Sequence, residues 1–191
     1  FLFMCAGYYD YDEGYRPEFP GEKNFKGQII HPQHWPEGLE YAGKKVVVIG
    51  SGATAVTIVP VMAEEGADVT MLQRSPTYMV SRPARDPFAN KLRKFLPEKI
   101  AYAITRWNHQ RFTYWYARRN PAKLGERLVD MARQELPDTV DVDKHFVPKY
   151  GPWEQRLCLV PDSDMFKAIS SGKAKVVTEH IYRFSKTGIQ L

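Results

Sequence analysis

The sequence is poor in cysteine. Its 191 residues include two, Cys5 and Cys158, and these lack the spacing of a disulfide framework or a metal site. So few cysteines indicate a reducing compartment, and we predict a cytoplasmic protein. His31 and His34 lie close together, but no third metal ligand lies within range in the sequence, so we predict no metal site.

The sequence also lacks an unbroken apolar segment that could span a membrane. Its longest apolar stretch, residues 46–63, is interrupted by Gly50, Gly52 and Pro60. A spanning helix needs about 20 apolar residues in a row, so we predict a strand followed by a helix instead. The composition, 43% hydrophobic and 26% charged, argues against disorder. The net charge of +5 suits an anionic cofactor as well as it suits nucleic acid, and we predict no nucleic-acid partner.

Residues 44–74 contain the pattern around which the chain is organised. An apolar, β-branched run ends in a turn of six residues, Gly50, Ser51, Gly52, Ala53, Thr54 and Ala55. Gly50 permits the tight turn, Gly52 lets the backbone approach a pyrophosphate, and Ala55 lets the next helix pack closely on the sheet. That helix offers free N–H groups to phosphates. A second apolar run completes a βαβ pattern, which predicts dinucleotide binding; a ligand-free turn is the alternative.

No carboxylate follows the second apolar run. Proteins that prefer NAD usually carry Asp or Glu about 20 residues after the glycines, where it binds the ribose 2′-hydroxyl. Here Gln73, Arg74 and Ser75 occupy that place, and an arginine can pair with a 2′-phosphate. We therefore predict NADP(H) rather than NAD(H). The alternative is that Arg74 is an ordinary solvated charge at a strand end.

A helical insertion is predicted at about 87–136. Residues 75–87 carry three prolines and predict a loop, at whose end Asp86 is a good helix N-cap. Apolar residues at helical spacing predict a helix over 88–119. Asn120–Pro121 predicts the start of a second helix, which runs to about residue 136.

The first part of this insertion has almost no acidic residues. Residues 88–119 carry one acid, Glu98, against eight lysines and arginines. A basic amphipathic helix can bind a membrane surface or a nucleic acid, but more often its apolar stripe faces the core or a neighbouring domain, and we favour this role. An apolar stripe left exposed would favour self-association of the chain.

Shorter elements complete the predicted fold. Before the βαβ pattern, a strand is predicted at 1–9 and a loop at 10–21. After the insertion we predict a loop at 137–151, a strand within 153–160, and a helix at 164–170 that Asp162 or Ser163 caps. Two further strands are predicted at 175–181 and 188–191. Together these elements predict an α/β, Rossmann-like fold with a mainly parallel sheet and a helical insertion.

Three motifs together resemble class B flavoprotein monooxygenases, the flavin-containing and type I Baeyer–Villiger monooxygenases. They are Phe25-x-Gly27-x-x-x-His31-x-x-x-Trp35-Pro36, which fits the Baeyer–Villiger fingerprint at every fixed position; Gly50-x-Gly52-x-x-Ala55, which is similar to the NADPH-binding turn; and Gln155-Arg156-Leu157. The opening Cys5-Ala6-Gly7 resembles the turn where the family's chain leaves its FAD domain. The resemblance covers essentially the whole chain.

The resemblance implies a role for several residues. Arg156 matches the active-site arginine that stabilises the negative charge of the oxygenated flavin, and Arg74 and Ser75 match contacts to the 2′-phosphate. Gln155 stands where Baeyer–Villiger enzymes often carry a lysine that also binds this phosphate, which leaves the substrate class open. The fingerprint residues would lie near a hinge between domains and couple cofactor state to closure. For Arg156, a surface ion pair with Glu154 is the alternative.

The resemblance also implies that FAD binds elsewhere. Residues 1–36 would form a linker with the fingerprint, and 37–191 the NADP-binding domain, while the FAD domain would lie outside this sequence. NADPH would reduce FAD, and oxygen would pass to a ketone or a soft heteroatom. This chain alone would bind NADP(H) but would not turn over. A stand-alone NADP(H)-binding regulatory module and the pyridine-nucleotide domain of another flavoprotein reductase are the alternatives; the fingerprint argues against both.

Overall fold

The chain forms two compact units. The computed structural model describes Asp10 and residues 12–191. One unit contains the residues up to Glu40 together with Glu179–Leu191, and the other contains Tyr41–Thr178.

Two sequence-based predictions stay untested in the structure. The predicted strand at 1–9, with its Cys5-Ala6-Gly7 turn, lies outside the described residues. The predicted domain limits, 1–36 and 37–191, stay a prediction, because compactness alone does not define a domain.

The larger unit contains most of the secondary structure. Its strands are β1 (Lys45–Ile49), β2 (Asp68–Gln73), β3 (Tyr78–Arg82), β4 (Leu157–Pro161) and β5 (Ala174–Thr178). Its helices are α1 (Ala53–Glu64), α2 (Pro87–Phe95), α3 (Glu98–Arg106), a π-helical segment (Trp107–Phe112), α4 (Thr113–Arg119), α5 (Pro121–Glu135), α6 (Val142–Phe146) and α7 (Asp164–Ser170). The smaller unit contains 3₁₀ turns at Glu22–Asn24 and Pro32–His34 and a hairpin of β6 (Arg183–Phe184) and β7 (Ile189–Gln190).

The predicted βαβ unit is confirmed. Strands β1 and β2 are parallel and are connected by α1, and β5 adds a third parallel strand on the other side of β2. At the carboxyl end of this sheet, Ile49 pairs with Leu72, and Gln73 pairs with Thr178. The sheet and its helices confirm the predicted α/β, Rossmann-like class with parallel strands.

The predicted loop at 75–87 is wrong for residues 78–82, which form β3. This strand pairs in parallel with β4 in a separate two-stranded sheet. Pro76 and Pro83 lie on either side of β3 and Pro87 begins α2, so none removes a hydrogen bond from the ladder of β3. The buried side chains of Tyr78, Met79 and Val80 explain why the segment is extended and ordered.

The predicted helix over 88–119 is interrupted. Helix α2 ends at Phe95, and Leu96 has an extended backbone with φ −128° and ψ 149°. Leu96 precedes Pro97, whose ring disfavours helical dihedrals in the residue before it. The predicted cap at Asp86 is confirmed, because its Oδ1 accepts from the N–H of Phe88 at 2.9 Å and of Ala89 at 3.2 Å.

Three other helix predictions need correction. The predicted loop at 137–151 contains α6, which Asp141 caps by accepting from the N–H of Lys144 at 3.0 Å. Helix α5 starts at Pro121 as predicted, but the side chain of Asn120 makes no capping bond. Ser163 likewise precedes α7 without a side-chain cap, and its φ of 63° explains why its hydroxyl is directed away from the first turn.

The core of the larger unit lies between the sheets and the helices around them. Val59 of α1, Val69 and Met71 of β2, and Met165 and Phe166 of α7 have no exposed surface. Residues of β3, β4, α5 and α6 belong to the same cluster. The strands of the βαβ unit are therefore held by helices from distant parts of the sequence.

The helical insertion leaves large apolar side chains exposed. Phe95 is 77% exposed, Trp107 58% and Trp115 53%. Arg119 lies over the ring of Trp115, at 5.4 Å from its centroid. Among the described residues, no helix is both long and apolar enough to cross a membrane. The predicted self-association of this face stays a prediction.

Asp86 is expected to make the stability of α2 depend on pH. The hydrogen bond with His109, together with the two backbone N–H groups, holds the pKa of Asp86 below its ordinary value. A carboxyl whose native pKa is lowered stabilises the fold above its unfolded-state pKa, and this contribution is lost as the pH falls through the native pKa.

We expect Asp86→Ala to lower the free energy of unfolding by about 1 kcal/mol at pH 7. Urea unfolding followed by circular dichroism, from pH 7 towards pH 3, should show this difference from the wild type shrinking. Asp86→Asn, which can still cap, is the control. A difference that stays constant with pH would contradict the role of the charge.

Candidate functional site

The glycine turn lies open at the carboxyl edge of the parallel sheet. Gly50 follows β1, donates its N–H to the carbonyl oxygen of Leu72 at 2.8 Å, and has a φ of 126° that favours glycine. Gly52 precedes α1, and no side chain caps that helix. A Cβ placed on either glycine would meet nothing within 4 Å. The turn and the uncapped N–H groups therefore leave room for a phosphate group.

Ser51 faces the interior, unlike its neighbours Gly50 and Gly52. Its side chain is buried, and its Oγ lies 2.9 Å from Oγ1 of Thr77 and 3.4 Å from the carbonyl oxygen of Ser75. The predicted contact of Ser51 with a cofactor can then involve its backbone N–H but not its hydroxyl. Ala53 and Thr54 are exposed, and Ala55 is buried against the core as the predicted packing requires.

Arg74 and Ser75 leave the sheet beside this turn. Strand β2 ends at Gln73, and Leu72 is the residue whose carbonyl binds Gly50 N–H. The Arg74 side chain is exposed and forms no ion pair with any described residue. Its guanidinium is therefore available to a ligand beside the glycine turn.

Gln73 is buried, although it occupies the place of the acid in NAD-binding proteins. Only 1% of it is exposed. Its Nε2 donates to the carbonyl oxygen of His145 at 2.7 Å and to Oγ1 of Thr178 at 2.9 Å, while its Oε1 has no partner among the described residues. The two bonds require a donor at this position, and an ionised carboxylate has no hydrogen to donate.

Gln155 and Arg156 lie immediately before β4, near the same turn. Leu157 pairs with Tyr78 at the start of β3, and Sγ of Cys158 lies 3.8 Å from the carbonyl oxygen of Ser51. Ser51 therefore connects the glycine turn to Ser75, next to Arg74, and to Cys158, two residues after Arg156.

The side chain of Arg156 is exposed, and within the described part of the chain it has no ion-pair partner. The alternative ion pair with Glu154 is not among the ion pairs of the described residues, and the Glu154 carboxylate accepts from the N–H of Gly151 at 2.7 Å. The hydroxyl of Tyr150 donates to the carbonyl oxygen of Arg156 at 2.8 Å and so fixes its backbone. Burial raises the pKa of the Cys158 thiol, and the nearby charge of Arg156 opposes this rise.

The fingerprint residues lie in the smaller unit. The ring of Phe25 packs edge-on against that of Phe184, with centroids 5.7 Å apart. His31 caps the 3₁₀ turn at Pro32–His34, because its Nδ1 accepts from the N–H of Gln33 at 3.3 Å. Trp35, which precedes Pro36, is 42% exposed. The roles of these residues in a functional site stay a prediction.

Several residues of the edge carry no signal in the sequence. Thr77 lies in the proline-flanked segment predicted as a loop, although the apolar residues after it favour a strand. His145 and Thr178 reach Gln73 from positions 72 and 105 residues away. No periodic pattern predicts such contacts. Within the described residues, no three His, Cys, Asp or Glu side chains lie close enough together to bind a metal ion.

The chain is similar in sequence to known flavoproteins. Residues 1–139 match the profile of flavin-binding monooxygenase-like proteins. Over its whole length the chain is 56% identical to the FAD-containing monooxygenase EthA of Mycolicibacterium smegmatis and 55% identical to EthA of Mycobacterium tuberculosis. It is 53% identical to the probable FAD-binding monooxygenase AlmA of Acinetobacter baylyi. The chain spans 40%, 40% and 39% of the lengths of these three relatives.

Solved structures share the fold at lower sequence identity. An oxidized steroid monooxygenase bound to NADP matches 93% of this chain with a TM-score of 0.70 and 19% identity, over 41% of its own chain. Cyclohexanone monooxygenase from Rhodococcus sp. Phi1 bound to NADP⁺ matches 92% with a TM-score of 0.67 and 20% identity, over 40% of its own chain. The sequence profile covers most of the chain, and the chain therefore belongs to the flavin-binding monooxygenase-like family.

Proposed function

We propose that this chain is the NADP(H)-binding part of a longer flavin-dependent monooxygenase, which inserts one oxygen atom from O₂ into a ketone or a soft heteroatom. One observation carries the proposal. Ser51 joins the open glycine turn to Ser75, which lies beside the exposed guanidinium of Arg74, and to Cys158, which lies two residues after Arg156. This arrangement offers N–H groups for a pyrophosphate and separate positive charges beside it.

The donor groups fit the phosphates of NADP(H). The backbone N–H groups of Ala53 and Thr54 at the start of α1 are suited to the pyrophosphate, because the positive end of the helix dipole lies there. Arg74, with Ser75 beside it, is suited to the 2′-phosphate. When bound, NADPH supplies a hydride, and FAD with O₂ supplies the oxygen atom. FAD would be held by another part of the longer protein, in line with the partial coverage of the relatives.

Arg156 is the residue that we propose acts on the oxygen-transfer step. Its charge is exposed, unpaired within the described residues and attached to a backbone that Tyr150 fixes. A positioned guanidinium stabilises negative charge that develops next to it, and this stabilisation is stronger where water is excluded. Gln155 adds an amide donor but no charge, so Arg74 carries most of the proposed contact to the 2′-phosphate.

The fingerprint favours a ketone as the substrate. Trp35–Pro36 completes the Baeyer–Villiger form of the motif, which plain flavin-containing monooxygenases lack. We therefore propose Baeyer–Villiger oxygenation first and heteroatom oxidation second. Product analysis of the full-length protein with a cyclic ketone and with a sulfide distinguishes them, and a sulfoxide without any lactone would overturn this order.

Arg74 is expected to decide the choice of cofactor. The wild-type chain should bind NADPH more tightly than NADH in calorimetric titrations. Arg74→Ala should weaken NADPH binding by roughly 10- to 100-fold and leave NADH binding almost unchanged, because one or two charge-assisted hydrogen bonds are lost. Arg93→Ala, which removes an exposed arginine of α2, controls for the change in net charge. Equal affinity of the wild type for both cofactors would contradict the proposal.

We expect that an acidic residue in place of Gln73 destabilises the fold. Gln73→Glu places a carboxylate against the carbonyl oxygen of His145, and we expect a loss of about 3 kcal/mol in the free energy of unfolding at pH 7. The loss should shrink in acid, because a protonated carboxyl can donate. Gln73→Met, which is neutral and similar in length, should cost less. Urea unfolding measures all three chains, and wild-type stability of Gln73→Glu at pH 7 would show that the donated bonds are unimportant.

Arg156→Ala should separate the two half-reactions of the full-length flavoprotein. Anaerobic reduction of the flavin by NADPH should continue at nearly the wild-type rate, whereas formation of oxygenated product should fall at least ~100-fold. Arg156→Lys, which keeps the charge but not the planar group, should retain part of the activity. Stopped-flow absorbance and product analysis give the two readouts. Lost reduction with intact oxygenation would contradict the assigned role.

A further inference from the structure

The buried polar side chains of the molecule are concentrated at the proposed nucleotide edge. Among the described residues, the polar or charged side chains that are buried are Ser51 at 5% exposure, Gln73 at 1% and Thr77 at 0%. A buried polar group is costly unless it is hydrogen-bonded, so such groups usually serve a defined arrangement. The cofactor-binding residues predicted from the sequence include Ser51, but they include neither Gln73 nor Thr77.

The hydroxyls of Thr77 and Ser51 form a short relay of hydrogen bonds. Ser51 Oγ lies 2.9 Å from Thr77 Oγ1, and either hydroxyl can be the donor of this bond. Ser51 Oγ also lies 3.4 Å from the carbonyl oxygen of Ser75, to which it can only donate. On the other side, Sγ–H of Cys158 donates weakly to the carbonyl oxygen of Ser51 at 3.8 Å.

Each end of this relay adjoins a group proposed to bind the cofactor. Ser51 lies between Gly50 and Gly52 of the phosphate-binding turn. The carbonyl of Ser75 belongs to the residue after Arg74, and Thr77 immediately precedes β3. Removal of the Thr77 hydroxyl would leave the Ser51 side chain without its shorter hydrogen bond.

We propose that Thr77 is a positioning residue for nucleotide binding: its hydroxyl holds the phosphate-binding turn at a fixed distance from the Arg74–Ser75 segment. The inference rests on the proposed binding of NADP(H) at this edge. Thr77 itself has no exposed surface and touches no ligand, so it acts through Ser51. The pyrophosphate and the 2′-phosphate of one molecule contact both segments, and their spacing therefore determines whether both contacts form together.

Two substitutions separate the hydroxyl of Thr77 from its methyl group. Thr77→Val keeps the volume and removes the hydroxyl, whereas Thr77→Ser keeps the hydroxyl and removes a buried methyl group. If Thr77 positions the turn, nucleotide affinity follows the hydroxyl. If Thr77 only fills space, nucleotide affinity follows the buried methyl group instead. Affinity and thermal stability then both follow the packing of the core.

The experiment is a calorimetric titration of the 191-residue chain with NADPH, together with thermal unfolding of each variant without nucleotide. We expect Thr77→Val to weaken NADPH binding about tenfold, the equivalent of one net hydrogen bond. Thr77→Ser should bind within about twofold of the wild type, even where its unfolding temperature is lower. Thr105→Val, which removes a hydroxyl bonded to Ala101 within α3, is the matched control and should bind as the wild type does.

The outcomes are distinct. Wild-type affinity of Thr77→Val, or an equal loss in Thr77→Ser, would overturn the positioning role while leaving the proposed function intact. A wild-type chain that binds no NADPH would overturn the proposed function and this inference with it. A loss in Thr77→Val that Thr77→Ser restores would support both.

Discussion

The hydrogen bond from Gly50 N–H to the carbonyl oxygen of Leu72 is the constraint on which the candidate site depends. It keeps the chain in the parallel ladder until the residue after β1. The φ of 126° at Gly50 then turns the chain out of the sheet, and α1 begins three residues later, at Ala53. The backbone thus sets the position of the turn, and the side chains of the site are located relative to it.

Buried hydrogen bonds then bring distant segments to this turn. Ser51 links it to Thr77 and Cys158, and Gln73 links the end of β2 to His145 and Thr178. Apolar contacts hold the same elements together but allow small displacements, because they have no preferred direction. Hydrogen bonds between buried groups are directional and costly to break. The polar atoms at this edge therefore fix the relative position of β1, β2, β3 and β4.

Local pattern was enough to predict part of this arrangement. The βαβ unit and the caps at Asp86 and Asn120–Pro121 depend on neighbouring residues, and their predicted positions agree with the structure within a few residues, apart from the missing side-chain bond of Asn120. Strand β3 was missed because the prolines around it suggested a loop, whereas its ordering comes from pairing with β4, some eighty residues later. The predicted helix over 88–119 is too long, because the prediction gave more weight to the spacing of apolar residues than to Pro97. Propensity describes a segment alone, while pairing depends on segments that are distant in sequence.

The candidate site divides in the same way. One continuous stretch of the sequence predicts Gly50, Gly52 and Arg74 as site residues, because the role of each follows from its residue type and its place in the βαβ pattern. The role of Arg156 rests on resemblance in the sequence, and in the structure the nearest link to the turn is the contact of Cys158, two residues later, with Ser51. The burial of Gln73 was not predictable, since its partners come from α6 and β5. Packing thus accounts for the neutral residue at that place, and the preference for NADP(H) stays a prediction that rests on Arg74.

The fingerprint has a packing reason of its own. The ring of Phe25 lies so close to Gly27 that a Cβ there would come within 2.5 Å of its Cζ, so the glycine of the motif is needed to seat the phenylalanine. That ring in turn contacts Phe184. These contacts lie within the smaller unit, whereas Arg74 and Arg156 belong to the larger one. The match of the fingerprint is therefore evidence for the family, whereas the proposed choice of cofactor rests on other residues. Either inference can be wrong while the other is right.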